Sequence, residues 1–401
     1  MRVLVFLVVS GLAHFLAARW VLSTLPPAKR LRLRRAILMT AAILSLLLGT
    51  ARLVAMAFDT AAMRTVIAAC MLELGAVVIT LVPIGLMTLV TRGVSRALAA
   101  RRPTPDGAVP TSLAITTPAD LVSRRQAVER AAGAALFGAT GTALGWGMVR
   151  GRHAFELEEV VVRVKNWPRA LDGYTIAQVS DVHVGVFVGD RELDEGFELI
   201  RRFRPDLVVA TGDLVDFDST LVSALATRLI RVGARDGACA ILGNHDHYAG
   251  PADVLERLRA MNVRALSNES LHLRAGDGGG FALLGVDDIQ GRAGRSAGFR
   301  GPDLHAAGRG LDPELPRILL AHQPSYFKEA AGRVALQLSG HTHGGQINPG
   351  FRPADLVMDF VAGRYERQES TLWVNRGFGV AGPPSRLGAP PEVTKIVIVA
   401  A

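Results

Sequence analysis

Four long apolar stretches, residues 3–22, 36–58, 66–90 and 131–149, crowd the first 150 residues of the chain. Each approaches the ~20 residues that a helix needs to cross a bilayer. A part of the chain built this way can bury its apolar side chains in lipid and pair its backbone within helices. The first stretch is interrupted by His14 and Arg19 and follows Arg2, so a signal peptide is the alternative reading there. The fourth contains Gly141 and Gly145, a spacing that suits close helix packing.

Charge is divided unevenly along the chain. Residues 1–150 hold 17 Lys and Arg against 5 Asp and Glu, and the remainder holds 28 against 31. The basic balance therefore belongs to the front part alone, and the back part lacks the footprint of a nucleic-acid binder. Lys29, Arg30, Arg32, Arg34 and Arg35 lie in the loop after the first stretch. Arg92, Arg96, Arg101, Arg102, Arg124, Arg125 and Arg130 lie in the loop after the third. Short loops rich in Lys and Arg stay in the cytoplasm, so the fourth stretch should run outward and leave the C-terminal part outside the cytoplasm. The expected organisation is transmembrane helices one to three over 1–98, a basic cytoplasmic linker over 99–130, a fourth transmembrane helix over 131–150 and a folded domain over 151–401. Arg52 and Glu73 lie at matching depths from the outer side and are expected either to pair or to reach the interface separately.

From Phe155 the pattern changes to short β-rich runs alternating with amphipathic helical stretches, the mark of a layered α/β domain. Five of the predicted strands end in polar groups of one chemical kind. The strand at 176–180 ends in Asp181-Val182-His183, and Leu207–Thr211 ends in Gly212-Asp213 with Asp216 three residues on. Ala238–Leu242 ends in Gly243-Asn244-His245-Asp246, Ile318–Ala321 in His322, and the run at 334–338 leads to Gly340-His341-Thr342-His343-Gly344. Any one of these has an ordinary explanation as a turn, a helix cap or a buried histidine. Five in one chain, all at carboxyl ends of strands, point to a ligand site at the rim of an open α/β sheet. The donors are oxygen and nitrogen, which suits two divalent ions such as Mn, Fe or Zn. The two cysteines, Cys70 and Cys239, supply neither a disulfide framework nor a thiolate zinc site.

The ordered set Asp-x-His, Gly-Asp-x-x-Asp, Gly-Asn-His-Asp, His, Gly-His-x-His resembles the calcineurin-like metallophosphoesterase family over about residues 155–401. Leu171-Asp172-Gly173 and Leu338-Ser339-Gly340 resemble its membrane-attached bacterial branch. The resemblance implies a four-layer (αββα) sandwich. It implies one metal ion held by Asp181, His183, Asp213 and His343, and a second by Asp213, Asn244, His322 and His341, with Asp213 shared. It also implies that His245 reaches the leaving-group oxygen. Asp246 is expected either to orient His245 or to make a local turn bond, and Asp216 to support the ligands from behind.

On this reading the chain is a membrane-anchored phosphoesterase, a phosphodiesterase first, acting on a cell-envelope or lipid-linked phosphoester through metal-activated water. Its partners are then a phosphoester and membrane lipid, with no nucleic acid. Two alternatives stand beside it: hydrolysis of UDP-2,3-diacylglucosamine, which requires a cytoplasmic site, and a non-catalytic metal-binding membrane sensor.

Overall fold

The computed structural model describes residues 2–57, 61–100, 124–276, 278–294 and 297–401. It divides into two compact units, Met1–Gly145 and Trp146–Ala401.

The first unit is helical: α1 (Arg2–Thr24), α2 (Pro27–Ala57), α3 (Ala61–Ala100) and α4 (Arg124–Val149). Among the described residues, two windows are long and apolar enough to cross a membrane, Leu7–Thr24 and Thr65–Val90. Residues 101–123, most of the stretch read as a linker, lie outside the described residues, and 124–130 belong to α4. Among the described residues, Glu73 has His14 beside it. Its carboxylate lies 3.1 Å from Nε2 of His14, whose Nδ1 donates to the Ser10 carbonyl. The Arg52 side chain lies outside the described residues.

The second unit holds the strands. In chain order they are β1 (Glu156–Val164), β2 (Tyr174–Val179), α5 (Asp190–Phe203), β3 (Leu207–Thr211), α6 (Val222–Arg231), β4 (Ala238–Ile241), α7 (Asn244–Ala249) and α8 (Pro251–Ala260). There follow β5 (Arg264–Ala265), β6 (Glu269–Leu273), β7 (Phe281–Gly285), α9 (Leu304–Ala307), β8 (Arg317–Leu320), α10 (Phe327–Ala330), β9 (Leu336–Ser339), β10 (Gly363–Arg367), β11 (Ser370–Val374) and β12 (Glu392–Ala400). They form two six-stranded sheets, ordered β1-β12-β2-β3-β4-β5 and β10-β11-β9-β8-β7-β6. In the first, β2, β3, β4 and β5 run parallel and β12 is antiparallel to β2. In the second, β11, β9, β8 and β7 run parallel, with β10 and β6 antiparallel at the edges.

Side-chain parity explains the packing. Ile176, Leu207, Val209, Cys239 and Ile241 from the first sheet form one apolar cluster with Phe281, Leu283, Ile318, Leu320, Leu336 and Leu338 from the second. The alternate residues of the same strands face the other way, because successive side chains point to opposite faces. Ala177, Val179, Val208, Ala210 and Ala240 cluster with Leu193, Phe197 and Ile200 of α5, Leu225 and Leu229 of α6, and Val254 and Leu258 of α8. Ala282, Leu284 and Leu319 cluster with Leu304, Ala307 and Ala330 from α9 and α10. Central strands such as β3 are thus buried on both faces and read as continuous apolar runs. Each fully buried aliphatic side chain contributes about 1.5–3 kcal/mol relative to exposure. The result is a two-sheet α/β sandwich whose central parallel strands bring their carboxyl ends to one rim.

Candidate metal centre

Each predicted ligand leaves a strand just as the ladder ends. Asp181 and His183 follow β2, Asp213 follows β3, Asn244 opens α7 after β4, His322 follows β8, and His341 and His343 follow β9. The backbone there is unusual. Asp181, His183, Asp213, His341 and His343 all have positive φ, between 51° and 72°. Left-handed backbone is uncommon outside glycine and is retained chiefly where the surroundings force it, at a cost of about 1–3 kcal/mol per residue. Hydrogen bonds between the loops supply that force. Asp181 N donates to the Gly212 carbonyl and His183 N to the Asp213 carbonyl, while His341 N donates to both Asp181 carboxylate oxygens at 2.8 and 3.0 Å.

Among the described residues the side chains converge in Asp181–His183–His343 and Asp213–His322–His341, with a third, overlapping group, His183–Asp213–His245, between them. In the first, His183 Nε2 lies 3.1 Å from His343 Nε2, and His343 Nε2 lies 3.5 Å from Asp181 Oδ1. In the second, His341 Nδ1 lies 3.3 Å from His322 Nε2. One oxygen lies near both: Asp213 Oδ2 is 3.6 Å from His183 Nε2 and 3.4 Å from His322 Nε2. Its other oxygen, Oδ1, accepts the His245 N–H at 2.7 Å.

The donor set fits divalent cations. His322 Nδ1 donates to the Thr211 carbonyl at 2.8 Å, which leaves Nε2 as the ring atom that a deprotonated His322 would offer to the centre. Asn244 Oδ1 is buried without a hydrogen-bond partner, a vacant acceptor beside the second group. Burial and then the Arg386 cation push His343 well below its ordinary pKa, leaving it a neutral donor. Burial alone would raise the Asp213 carboxyl, but His322 and then His183 outweigh it and hold it well below the usual range.

Of the two expectations for Asp246, the local backbone bond is the one the structure makes. Asp246 does not reach the His245 ring. Its carboxylate accepts Gly243 N at 2.8 Å, Leu214 N at 3.0 Å and Val215 N at 3.2 Å, all backbone donors. It occupies the third position of α7 and reaches back to the residue before the helix, as a capping carboxylate does. Burial, together with Asp213, raises its pKa to about 6. The partner of His245 is instead Asp216, whose Oδ1 lies 3.2 Å from His245 Nδ1 and 3.5 Å from His183 Nδ1. Burial would raise Asp216, but hydrogen bonds from His183 and His245 bring it down to about 2.

Two features escaped the sequence reading. Asp288, at the end of β7, is buried and accepts from Gln323 Nε2 at 3.1 Å, close enough for its charge to act on His322 and His341. The paired carboxylates Asp287-Asp288 at a strand end were the available signal. Arg386 is fully buried behind His343, with its Nη2 3.1 Å from the ring Nδ1. It also donates to the carbonyls of His343, Arg376, Gly377, Gly379 and Ala389. A lone arginine in a Pro- and Gly-rich tail carries no such signal.

Residues 174–345, the span that holds all of these ligands, match the calcineurin-like phosphoesterase family. Three relatives extend the match. A "Transmembrane protein with metallophosphoesterase domain" of Danio rerio is 34% identical over 296 residues, covering 69% of this chain and 67% of that protein. Its Bos taurus counterpart is 34% identical over 252 residues, or 60% of this chain and 56% of its own length. The "Uncharacterized metallophosphoesterase YkuE" of Bacillus subtilis is 31% identical over 283 residues, covering 68% of this chain and 96% of that protein. This chain belongs to the calcineurin-like phosphoesterase family. As a member it is a metal-dependent phosphoric ester hydrolase. Two of these relatives are named as transmembrane proteins, and among its described residues this chain has two helices long and apolar enough to cross a bilayer. The match spans little more than half of the bovine relative, so a large part of that protein lies outside the comparison.

Proposed function

We propose that the chain is a membrane-anchored, dinuclear phosphodiesterase that hydrolyses a cell-envelope or lipid-linked phosphoester outside the cytoplasm. The position of Asp213 Oδ2, within 3.6 Å of a nitrogen from each group, carries the two-ion part of this reading. Asp181, His183, Asp213 and His343 would hold one ion, and Asp213, Asn244, His322 and His341 the other, with Mn, Fe or Zn as the candidates. When bound, the ions lower the pKa of water and neutralise phosphoryl oxygens, which supplies a nucleophile at neutral pH.

The chain's own groups do the rest. His245 N–H holds Asp213 Oδ1, which frees Oδ2 for the shared position. Nε2, in the protonated ring, is the atom that donates to the departing oxygen, because the Asp216 backbone carbonyl accepts from His245 Nδ1 at 3.1 Å and the Asp216 carboxylate, 3.2 Å from the same nitrogen, helps to fix the ring. Asp216 remains a carboxylate down to about pH 2 and therefore does this throughout the neutral range. Asp246 holds the β3 and β4 loops together through backbone N–H groups and takes no proton from substrate. The organisation into spans over 1–98 and 131–150, the linker and the domain over 151–401 belongs to the same proposal, as does the outward orientation argued from loop charge.

The test is hydrolysis of bis-p-nitrophenyl phosphate against p-nitrophenyl phosphate by the full chain with added manganese. Diester turnover should exceed monoester turnover, and Asp213→Asn should abolish both and lower bound metal. A variant that keeps two ions and full activity would sink the dinuclear assignment. Protease access to the C-terminal unit in spheroplasts tests the sidedness. A unit protected until lysis would reverse it and bring UDP-2,3-diacylglucosamine forward as substrate.

A further inference from the structure

The metal loop His341–Gly345 is followed by an excursion over residues 349–360 that leaves and returns to it. On the outgoing side, Asn348 Nδ2 donates to the carbonyls of Gly344 and Gly388, both at 3.0 Å. On the return, the Thr342 hydroxyl donates to the Val361 carbonyl, and Val361 N donates to the Tyr365 hydroxyl. In between, Arg352 and Ala354 pack over Gly345. The base of the excursion is therefore pinned directly to the residues that carry His341 and His343.

Its tip is apolar and open. Phe351 is 61% exposed, Leu356 80%, Val357 82% and Met358 44%. Elsewhere in this unit, exposed large apolar side chains include Leu157 and Val161 on β1 and Ile230 on α6, all outside the excursion. Single exposed apolar residues need no explanation, but a cluster at one tip marks an interaction surface. The charges around it are arranged for one partner in particular. Both acidic residues of the excursion are paired with cations: Asp355 with Arg352 at 2.8 Å and Asp359 with Lys328 at 2.5 Å. The tip thus presents aliphatic and aromatic surface with no unpaired carboxylate to oppose anionic headgroups. The same chain carries, among its described residues, two helices long and apolar enough to cross a bilayer.

We infer that the 349–360 excursion is an interfacial anchor, inserting Phe351, Leu356, Val357 and Met358 among lipid headgroups and upper acyl chains. This deepens the lipid-linked reading given above and rests on it for its role in catalysis. Apolar and aromatic side chains are stabilised at that depth, as in interfacial segments generally. Because the base of the excursion is the metal loop, insertion sets the centre at headgroup level, where the phosphoester of an embedded amphiphile lies. A water-soluble diester gains nothing from the anchor.

The test uses the full chain reconstituted in phosphatidylcholine–phosphatidylglycerol vesicles. An environment-sensitive fluorophore is attached at Val357→Cys, or at exposed Glu314→Cys as the control, both in a Cys70→Ser background. Emission at 357 should shift to the blue and be quenched by shallow doxyl-labelled lipid, while emission at 314 should be unaffected. Equal, water-like emission at both sites overturns the anchor. So does a shift at 357 that ignores doxyl lipid and appears only at high protein-to-lipid ratio, which assigns the tip to a second copy of the chain. In the kinetic arm, Leu356→Ser, Val357→Ser and Met358→Ser are combined. This should leave bis-p-nitrophenyl phosphate hydrolysis in detergent unchanged and lower hydrolysis of a vesicle-embedded phosphodiester by about tenfold. If the parent chain cleaves no embedded phosphodiester, the lipid-linked substrate reading fails, while the quenching result still decides the anchor.

Discussion

Replacing Arg386 by methionine removes a buried cation that ties five backbone carbonyls and one ligand histidine together. A hydrogen bond to a charged group contributes about 1.5–3 kcal/mol. Six such bonds do not add, because desolvating the guanidinium itself costs several kcal/mol. That opposition is visible in its pKa, which burial pulls down to about 9, still well above neutrality. Methionine fills much of the volume but leaves the carbonyls of Gly377 and Gly379 facing an apolar side chain. Losing one side of such a buried arrangement costs about 3–5 kcal/mol. For a unit of this size that lowers the thermal midpoint by about 6–20 °C, at about 2–4 °C per kcal/mol. Arg386→Lys keeps the charge but reaches fewer acceptors, so its midpoint should fall between the two. The same substitution frees the His343 ring, and removing a group that orients a ligand lowers metal affinity by about 10–100-fold. Tryptophan fluorescence melts of the full chain in detergent, at one fixed scan rate, read the first effect, and metal content after dialysis reads the second. An Arg386→Met protein with its midpoint within about 2 °C of the parent and undiminished metal content would refute the argument.

Two further outcomes follow from side chains at and near the centre. His245→Ala should retain its metal and lose turnover by about 10²–10⁴-fold, with a smaller loss on substrates whose leaving group needs no proton. An equal loss on good and poor leaving groups would give His245 a positioning role instead. Cys239 sits in the cluster between the sheets, where burial pushes its thiol up to about 11. In a Cys70→Ser background, maleimide should therefore leave the folded chain unlabelled at pH 8 and label it once unfolded, and rapid labelling of the folded chain would contradict the packing described.

Much of the second unit is legible in its sequence because parallel strands buried on both faces leave long apolar runs. Leu207–Thr211 is recovered to the residue, and in α5 Leu193, Phe197 and Ile200 repeat at helical spacing. The elements that escape are those with little apolar signal. Glu269–Leu273 and Gly363–Arg367 are edge strands with polar or half-exposed residues, and Arg264–Ala265 is too short to show a period. The helix Asn244–Ala249 is hidden because its residues look like a strand-end turn, although an acidic residue three positions after Gly243 is a helix-start signal. Reading that signal would have placed Asp246 on the backbone and left Asp216 for His245. Contacts across long sequence separation, such as Arg386 to His343 or Asp288 to Gln323, leave no local pattern at all.

The glycines flanking the ligands show the same limit, and Gly340 makes it testable. In the sequence, Gly340 reads as a residue that lets backbone approach whatever His341 and His343 hold. In the fold, the space it leaves is filled by the chain itself: a Cβ at Gly340 would overlap Ser180 Oγ and Asp181 Oδ2. Its φ is not in the left-handed region, so alanine would meet no backbone strain of its own there. The perturbation is then the displacement of Ser180 and of Asp181, the carboxylate that accepts His341 N and approaches His343 Nε2 at 3.5 Å. Crowding one methyl into a packed site costs about 1–3 kcal/mol, which the unit should tolerate. The carboxylate, by contrast, has only tenths of an ångström to give before it leaves ligand distance. Gly340→Ala should therefore remain folded, with a thermal midpoint lowered by less than that of Arg386→Met, while metal content and turnover fall together. If alanine at this position leaves metal binding intact, the room beneath the metal loop is not what sets Asp181, and the role of the glycine returns to backbone freedom alone.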